Sequence, residues 1–305
     1  MFDSEFDLFT VPVAGGDLTV GRWGTGPRTI LALHGVTANH ACFHALADEL
    51  GDDFTLLAPD LRGRGGSRDV EGPYGMTSHA DDVATVIDMH AQGPVTVVGH
   101  SMGGFVAAVL SARYPELVAE VVLVDGGLPL DLGPLAALPI EDLISAVIGP
   151  AMDRLSTTYL SRDDYIDFWR AHPAMADDWS PYFERYFDTD LIADVGGFRS
   201  SCKIDAVVAD TESDMRGETV PGALRTITQP VLFLRAPRGL QNDQSLYAED
   251  VLDTHRDLIP HMQFADIDDV NHYSIVLGKG AGSVASAVRR FVAADVWSRT
   301  ATRSS

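Results

Sequence analysis

The chain has 305 residues, 46% of them hydrophobic, enough to bury a substantial core as one large or two ordinary domains. Its 44 acidic residues outnumber the 22 basic ones, and the net charge of −22 is spread along the chain with no offsetting Lys/Arg run. Such a surface repels phosphate backbones and anionic lipid headgroups, which argues against nucleic acid or membrane partners.

The opening "MFDSEFDLFTVPV" lacks the basic start and long apolar core of a secretory signal, and no apolar run reaches the length of a membrane span. A cytoplasmic protein is expected. The two cysteines, Cys42 and Cys202, lie far apart and in no paired pattern, so they suggest neither a disulfide framework nor a cysteine-ligated zinc site.

Apolar runs of strand length follow in order at 18–23 (LTVGRW), 29–34 (TILALH), 54–59 (FTLLAP), 95–100 (VTVVGH), 121–125 (VVLVD), 231–234 (VLFL) and 262–267 (MQFADI). From residue 29 onward they are nearly unbroken rather than alternating, as suits strands covered on both faces. Helices are expected between them at 40–50, 77–91 and 102–114, the last closed by Tyr114-Pro115. The pattern predicts an α/β fold with a mostly parallel central sheet flanked by helices.

Between 121–125 and 231–234 roughly a hundred residues carry no clear strand, far more than an ordinary connection needs. They predict an inserted helical cap at 128–229, between core segments 1–127 and 230–305. The insertion is dense in aromatics, and Trp169 and Trp179 are expected among those that line an apolar pocket over the sheet.

The run "VTVVGHSMGG" reads as a strand, the turn Gly99-His100-Ser101-Met102-Gly103, and a helix. A serine on so sharp a turn needs small residues two places to either side, and G-x-S-x-G supplies them, lifting the hydroxyl to the carboxyl end of the sheet. Here the chain resembles the α/β-hydrolase family over almost its whole length. "LHGVTAN" (33–39) is similar to the family's His-Gly oxyanion loop, "PDLRGRGGS" (59–67) to its D-x-R-G-x-G-x-S segment, and "DDVNHYSI" (268–275) to the late loop carrying the catalytic histidine.

The resemblance implies that Ser101 is a nucleophile and that the backbone N–H groups of Val36 and Met102 form the oxyanion hole. A serine hydroxyl needs a base within hydrogen-bond reach, and His272 is the candidate, late in the chain after the last strand. His34 and His100 sit beside the site and are expected to shape the pocket floor or the turn. His40 and His44 have a spacing that could bind a metal, but without a third ligand they are expected on a helix surface or pocket rim.

In most of the family the acid lies a few residues past the strand at 231–234, and the matching slot near Gly239 holds no carboxylate. Asp243, four residues later, is expected to cap a helix. Asp125 ends the preceding strand, whose neighbour carries Ser101 about 4.8 Å away. A charge closing so apolar a run is costly without a partner, which favours Asp125 as the triad acid. Some family members, among them hydrolases of large resorcylic lactones, likewise take their acid from this strand.

The reading that emerges is a serine hydrolase of the carboxylesterase or lactonase type, acting on an apolar or aromatic small molecule with no cofactor and no metal. Cofactor-free haloperoxidase or perhydrolase chemistry, carbon–carbon bond hydrolysis and a catalytically silent ligand receptor remain the alternatives on this fold. Dehalogenase and epoxide hydrolase chemistry would need an aspartate where Ser101 stands.

Overall fold

The computed structural model describes residues 5–249, 255 and 257–302. A first hairpin, β1 (Phe6–Val13) and β2 (Gly16–Trp23), leads into β3 (Arg28–Leu33), β4 (Phe54–Pro59), β5 (Val95–His100) and β6 (Val118–Val124). A small separate hairpin follows, β7 (Leu191–Asp194) and β8 (Gly197–Ser200), and the main sheet resumes with β9 (Val231–Arg235) and β10 (Gln263–Asp266). The main sheet has eight strands in the order β1-β2-β4-β3-β5-β6-β9-β10, antiparallel at the first two junctions and parallel from β4 onward.

Three α-helices lie where the sequence places them: α1 (His44–Leu50, preceded by a 3-10 turn from His40), α2 (Met76–His90) and α3 (Met102–Arg113). Between β6 and β9 come α4 (Ile140–Ser156), α5 (Arg162–Arg170), α6 (Pro181–Asp190), α7 (Ile204–Arg216) and α8 (Thr219–Leu224). The chain closes with α9 (Ser274–Leu277) and α10 (Ala281–Thr302).

Two features depart from the expected pattern. The strand β1 is additional, because its alternating and partly exposed FDLFTVPV sequence is that of a sheet edge, where Pro12 is tolerated. The insertion is not purely helical either. It contains the β7–β8 hairpin, whose turn uses Gly196 at φ +88°, a conformation open to glycine.

The sheet divides two cores by its pleat. In β3, Ile30 and Ala32 join one cluster with α1, α9 and α10, while Leu31 and Leu33 join the other with α2 and α3. The insertion does not keep its aromatics to itself: Tyr165, Trp169, Phe183, Tyr186 and Phe187 belong to the same cluster as Phe43, Ile275 and Leu277. Along β6, Val121, Val122, Leu123 and Val124 are all fully buried, each side chain contributing about 1.5–3 kcal/mol.

Several histidines are buried in this frame. His40 and His44 are not at a surface or rim. His40 Nδ1 is 2.9 Å from Asp60 Oδ1, and His44 Nδ1 accepts the Trp23 indole N–H at 2.8 Å. Among the described residues no group of three or more His, Cys, Asp or Glu side chains could hold a metal ion. Both positions are occupied by structural hydrogen bonds.

Burial pushes His34 down to about 4 and His44 to about 3, and it lowers His100 well below the ordinary histidine value. These rings stay neutral in the folded protein while the unfolded chain protonates near 6.5. Stability is therefore expected to be full above that value and to fall as pH drops from 6.5 toward 4. Denaturant unfolding at a series of pH values should give a slope near pH 5.5 equal to uptake of about three protons or more.

Candidate active site

Ser101 follows β5 directly and precedes α3, with φ +55° and ψ −124°, a backbone conformation non-glycine residues rarely hold. The turn closes only because small residues surround it. A Cβ on Gly103 would sit 2.0 Å from the Leu33 carbonyl oxygen, and one on Gly126 would sit 2.2 Å from that of Ser101. The chain thus presents the serine side chain on a tight strand-to-helix turn, as G-x-S-x-G requires.

Register brings the second group beside it. His100 pairs with Val124 across β5 and β6, so Ser101 and Asp125 leave the ends of adjacent strands together. Asp125, also at positive φ, is fully buried, and its Oδ2 is 2.7 Å from His272 Nδ1. A carboxylate only accepts, so Nδ1 carries the proton and Nε2 is the basic nitrogen of the neutral ring. The His272 carbonyl in turn accepts from His100 Nε2 at 2.8 Å, and the two rings lie 4.7 Å apart.

The segment after β9 contributes a backbone donor where the sequence lacks an acid: Ala236 N–H reaches Asp125 Oδ1 at 3.1 Å. Each carboxylate oxygen of Asp125 therefore has a partner. Asp243 does not cap a helix. It lies in a bend, its carbonyl accepting from Gly239 N–H at 3.2 Å, and residues 244–248 are not helical.

The loop after β3 is held from behind by its carbonyl groups. Gly35 O accepts from Ala38 N–H at 3.1 Å and from His34 Nδ1 at 2.8 Å, while His34 Nε2 accepts from Leu61 N–H at 2.9 Å. Because the peptide unit is planar and trans, a pinned Gly35 carbonyl turns the Val36 N–H the opposite way. Met102 is the first residue of α3, so its N–H has no acceptor within the helix. Val36 and Met102 both border the same cavity as Ser101 and His272.

That cavity has a volume of about 330 Å³. Its core-side wall includes Phe105, Cys42, His100, Tyr273 and Leu277, and its insertion-side wall includes Leu130, Ile144, Tyr186, Thr211 and Val220. Among the described lining residues there is no lysine or arginine, and Glu218 is the one carboxylate.

His100 borders the cavity as expected, whereas His34 lies behind it, fully buried and tied to Leu61. Trp169 and Trp179 do not border it. Trp169 is buried, stacked on Phe187 at 4.4 Å, and packs 5.2 Å from the Arg154 guanidinium; Trp179 stacks on Phe183 and Phe187. Both rings stack on Phe187 within the insertion, and Trp169 also meets Tyr273 of the core edge-on at 6.4 Å.

Sequence reasoning misses two buried cations beside the site, Arg64 and Arg154, both fully inaccessible to solvent. Arg64 falls within the segment "PDLRGRGGS", but arginine is so commonly exposed that residue type alone gives no sign of burial. Phe105 and Tyr186 are equally silent, one within a helix and one among many aromatics.

A family model for the alpha/beta hydrolase fold matches residues 28–279. The chain is 32% identical over 241 residues to lipase LipV of Mycobacterium tuberculosis, covering 77% of this chain and 85% of that protein. It is 29% identical over 256 residues to 2-(acetamidomethylene)succinate hydrolase of Mesorhizobium japonicum, covering 84% of this chain and 85% of that one. The solved structure of E-2-(acetamidomethylene)succinate hydrolase superposes with a TM-score of 0.75 at 25% identity, covering 94% of this chain and 99% of its own. With the turn at Ser101, the sheet order and matches of this extent, the chain belongs to the α/β-hydrolase fold family.

Proposed function

We propose that this protein is a serine hydrolase that cleaves neutral, apolar carboxylic esters or lactones through an acyl-enzyme. The observation that carries this reading is the 2.7 Å contact of His272 Nδ1 with the buried Asp125 carboxylate, at the mouth of a turn that strains Ser101 toward the shared cavity. Ser101 Oγ attacks the carbonyl carbon while His272 Nε2 takes its proton, and Asp125 stabilises the resulting imidazolium. The charge that develops on the carbonyl oxygen is met by the N–H groups of Val36 and Met102. Collapse expels the alcohol with the proton returned from Nε2, and a water activated by the same nitrogen then releases the acid.

The insertion, read as a cap over residues 128–229, supplies a large part of the cavity wall, and most of its contribution is aliphatic or aromatic. That supports a substrate without formal charge. The Mesorhizobium japonicum relative is named for a succinate, a doubly carboxylated molecule. A carboxylate finds no basic side chain among the described lining residues here. Burial of an unpaired charge is costly, so neutral esters are favoured.

With p-nitrophenyl butyrate as substrate, Ser101→Ala and His272→Ala are each expected to lower kcat on the order of 10⁴-fold or more with the fold retained. Retention of more than a few per cent of the rate would sink the serine mechanism. Asp125→Asn should lose on the order of 10⁴ in kcat through the wrong imidazole tautomer, whereas Asp243→Asn should stay within about threefold of the parent. The reverse outcome would return the acid to the strand β9 side. An acyl chain ending in a carboxylate should lower kcat/KM on the order of 10²-fold against its neutral analogue. Equal rates would overturn the neutral-substrate assignment.

A further inference from the structure

Three successive carbonyl groups of the oxyanion loop are held by side chains or turns. His34 and Ala38 hold that of Gly35, and two arginines hold the next two. Arg64 Nε donates to Val36 O at 2.9 Å, and Arg154 Nη2 donates to Thr37 O at 3.0 Å. Arg64 comes from the loop after β4, but its charge is met by Asp210 of α7, 2.5 Å from Nη1. Arg154 comes from α4 and is ion-paired with Asp190 at the end of α6, whose carboxylate also accepts from Tyr165, Ser200 and Ser201. Both aspartates belong to the insertion, and all four side chains are almost wholly buried.

Such pairs contribute little to stability by themselves, because apolar residues of similar volume often do as well or better. What they provide here is direction. A guanidinium offers donors in a fixed planar fork, so one group can grip a carboxylate and a carbonyl at once and hold both at set angles. Asp210 is anchored further by Gly75 N–H at 2.6 Å and by His79 Nε2 at 3.0 Å. Burial alone would raise its pKa, but His79 and Arg64 hold the carboxyl below the usual carboxylate range. The Arg64–Asp210 pair is therefore charged at every pH at which the enzyme would work.

We infer that Arg64 and Arg154 are positioning residues that fix the oxyanion loop through Val36 O and Thr37 O, so that the insertion, through Asp210 and Asp190, sets catalytic competence as well as substrate fit. The inference rests on the serine-hydrolase reading above. A loop gripped at these two carbonyls cannot rotate the peptide units next to the Val36 N–H, which keeps that donor aligned before substrate arrives. Neither arginine borders the cavity.

The test uses Arg64→Met with Asp210→Asn, and Arg154→Met with Asp190→Asn, so that no variant leaves an aspartate carboxylate buried without its cation. Turnover of p-nitrophenyl butyrate is read beside inhibition by trifluoroacetophenone, whose serine adduct bears an oxyanion, and by acetophenone, which binds without one. Each variant is expected to lose on the order of 10² in kcat with KM and acetophenone inhibition within about threefold, and trifluoroacetophenone inhibition should weaken in step with kcat. Unchanged kcat, a change confined to KM, or a loss of kcat without weaker trifluoroacetophenone inhibition would each overturn the inference.

If circular dichroism shows either double variant unfolded, Arg64→Lys or Arg154→Lys replaces it under the same criteria, since lysine keeps the charge but lacks the fork. Failure of every one of these variants to fold would make the pairs requirements of folding and would also overturn it. In the parent protein, Ser101→Ala must abolish both turnover and trifluoroacetophenone inhibition. If it does not, the serine reading fails, and that result is separate from any effect of the arginines.

Discussion

The register between β5 and β6 is the constraint on which the site is built. With His100 opposite Val124, the next residue on each strand is Ser101 and Asp125, and both turn away from the sheet at positive φ. A slip of one residue would send these side chains to opposite faces. Two non-glycine residues in this backbone region cost of order 1–3 kcal/mol each. The sheet can hold them because the residues behind, from Val95 to Val98 and Val121 to Val124, are packed on both sides, and because Ser101 N–H and Asp125 N–H each bond to the neighbouring strand, at Val124 O and Leu234 O.

Much of this is legible in the sequence. Strands β3 to β6 and β9 announce themselves as unbroken apolar runs, because a strand covered on both faces has no reason to alternate. The glycines around Ser101 announce a tight turn, and the cost of burying a carboxylate points to Asp125, rather than Asp243, as the partner of the histidine after the last strand, which is the contact found. The edge strand β1 and the hairpin at 191–200 escape notice, since half-exposed residues carry little hydrophobic signal. Which aromatics face the cavity is also beyond reach: Trp169 and Tyr186 differ in that respect through three-dimensional packing, and their sequence surroundings are alike. Arg64 and Arg154 are the sharpest case, because a residue type associated with the surface is here fully enclosed.

The distribution of charge separates outside from inside. A net charge of −22 keeps the surface strongly acidic, while the cavity beside Ser101 is lined mostly by aliphatic and aromatic side chains. The buried cations stand behind the cavity wall and are each neutralised by an aspartate, so they stiffen the site without offering a docking point for an anion. The aromatic cluster that joins α5 and α6 to the core under α1 and α9 continues that wall, so the same packing that closes the hydrophobic core also shapes the enclosure.

The donor that Ala236 extends to Asp125 has an implication for how this enzyme can change over time. With Asp125 as the proposed triad acid, the stretch that leaves β9 owes the triad only a main-chain N–H, and a main-chain group is indifferent to the side chain attached to it. Residues 237–248 are thereby released from catalytic duty, although Leu240 and Leu246 still touch the cavity. The stretch still braces the loop that carries His272, through Arg238 on Asp269 and Asn242 on Asn271, so its side chains are free to vary where they make no such contact.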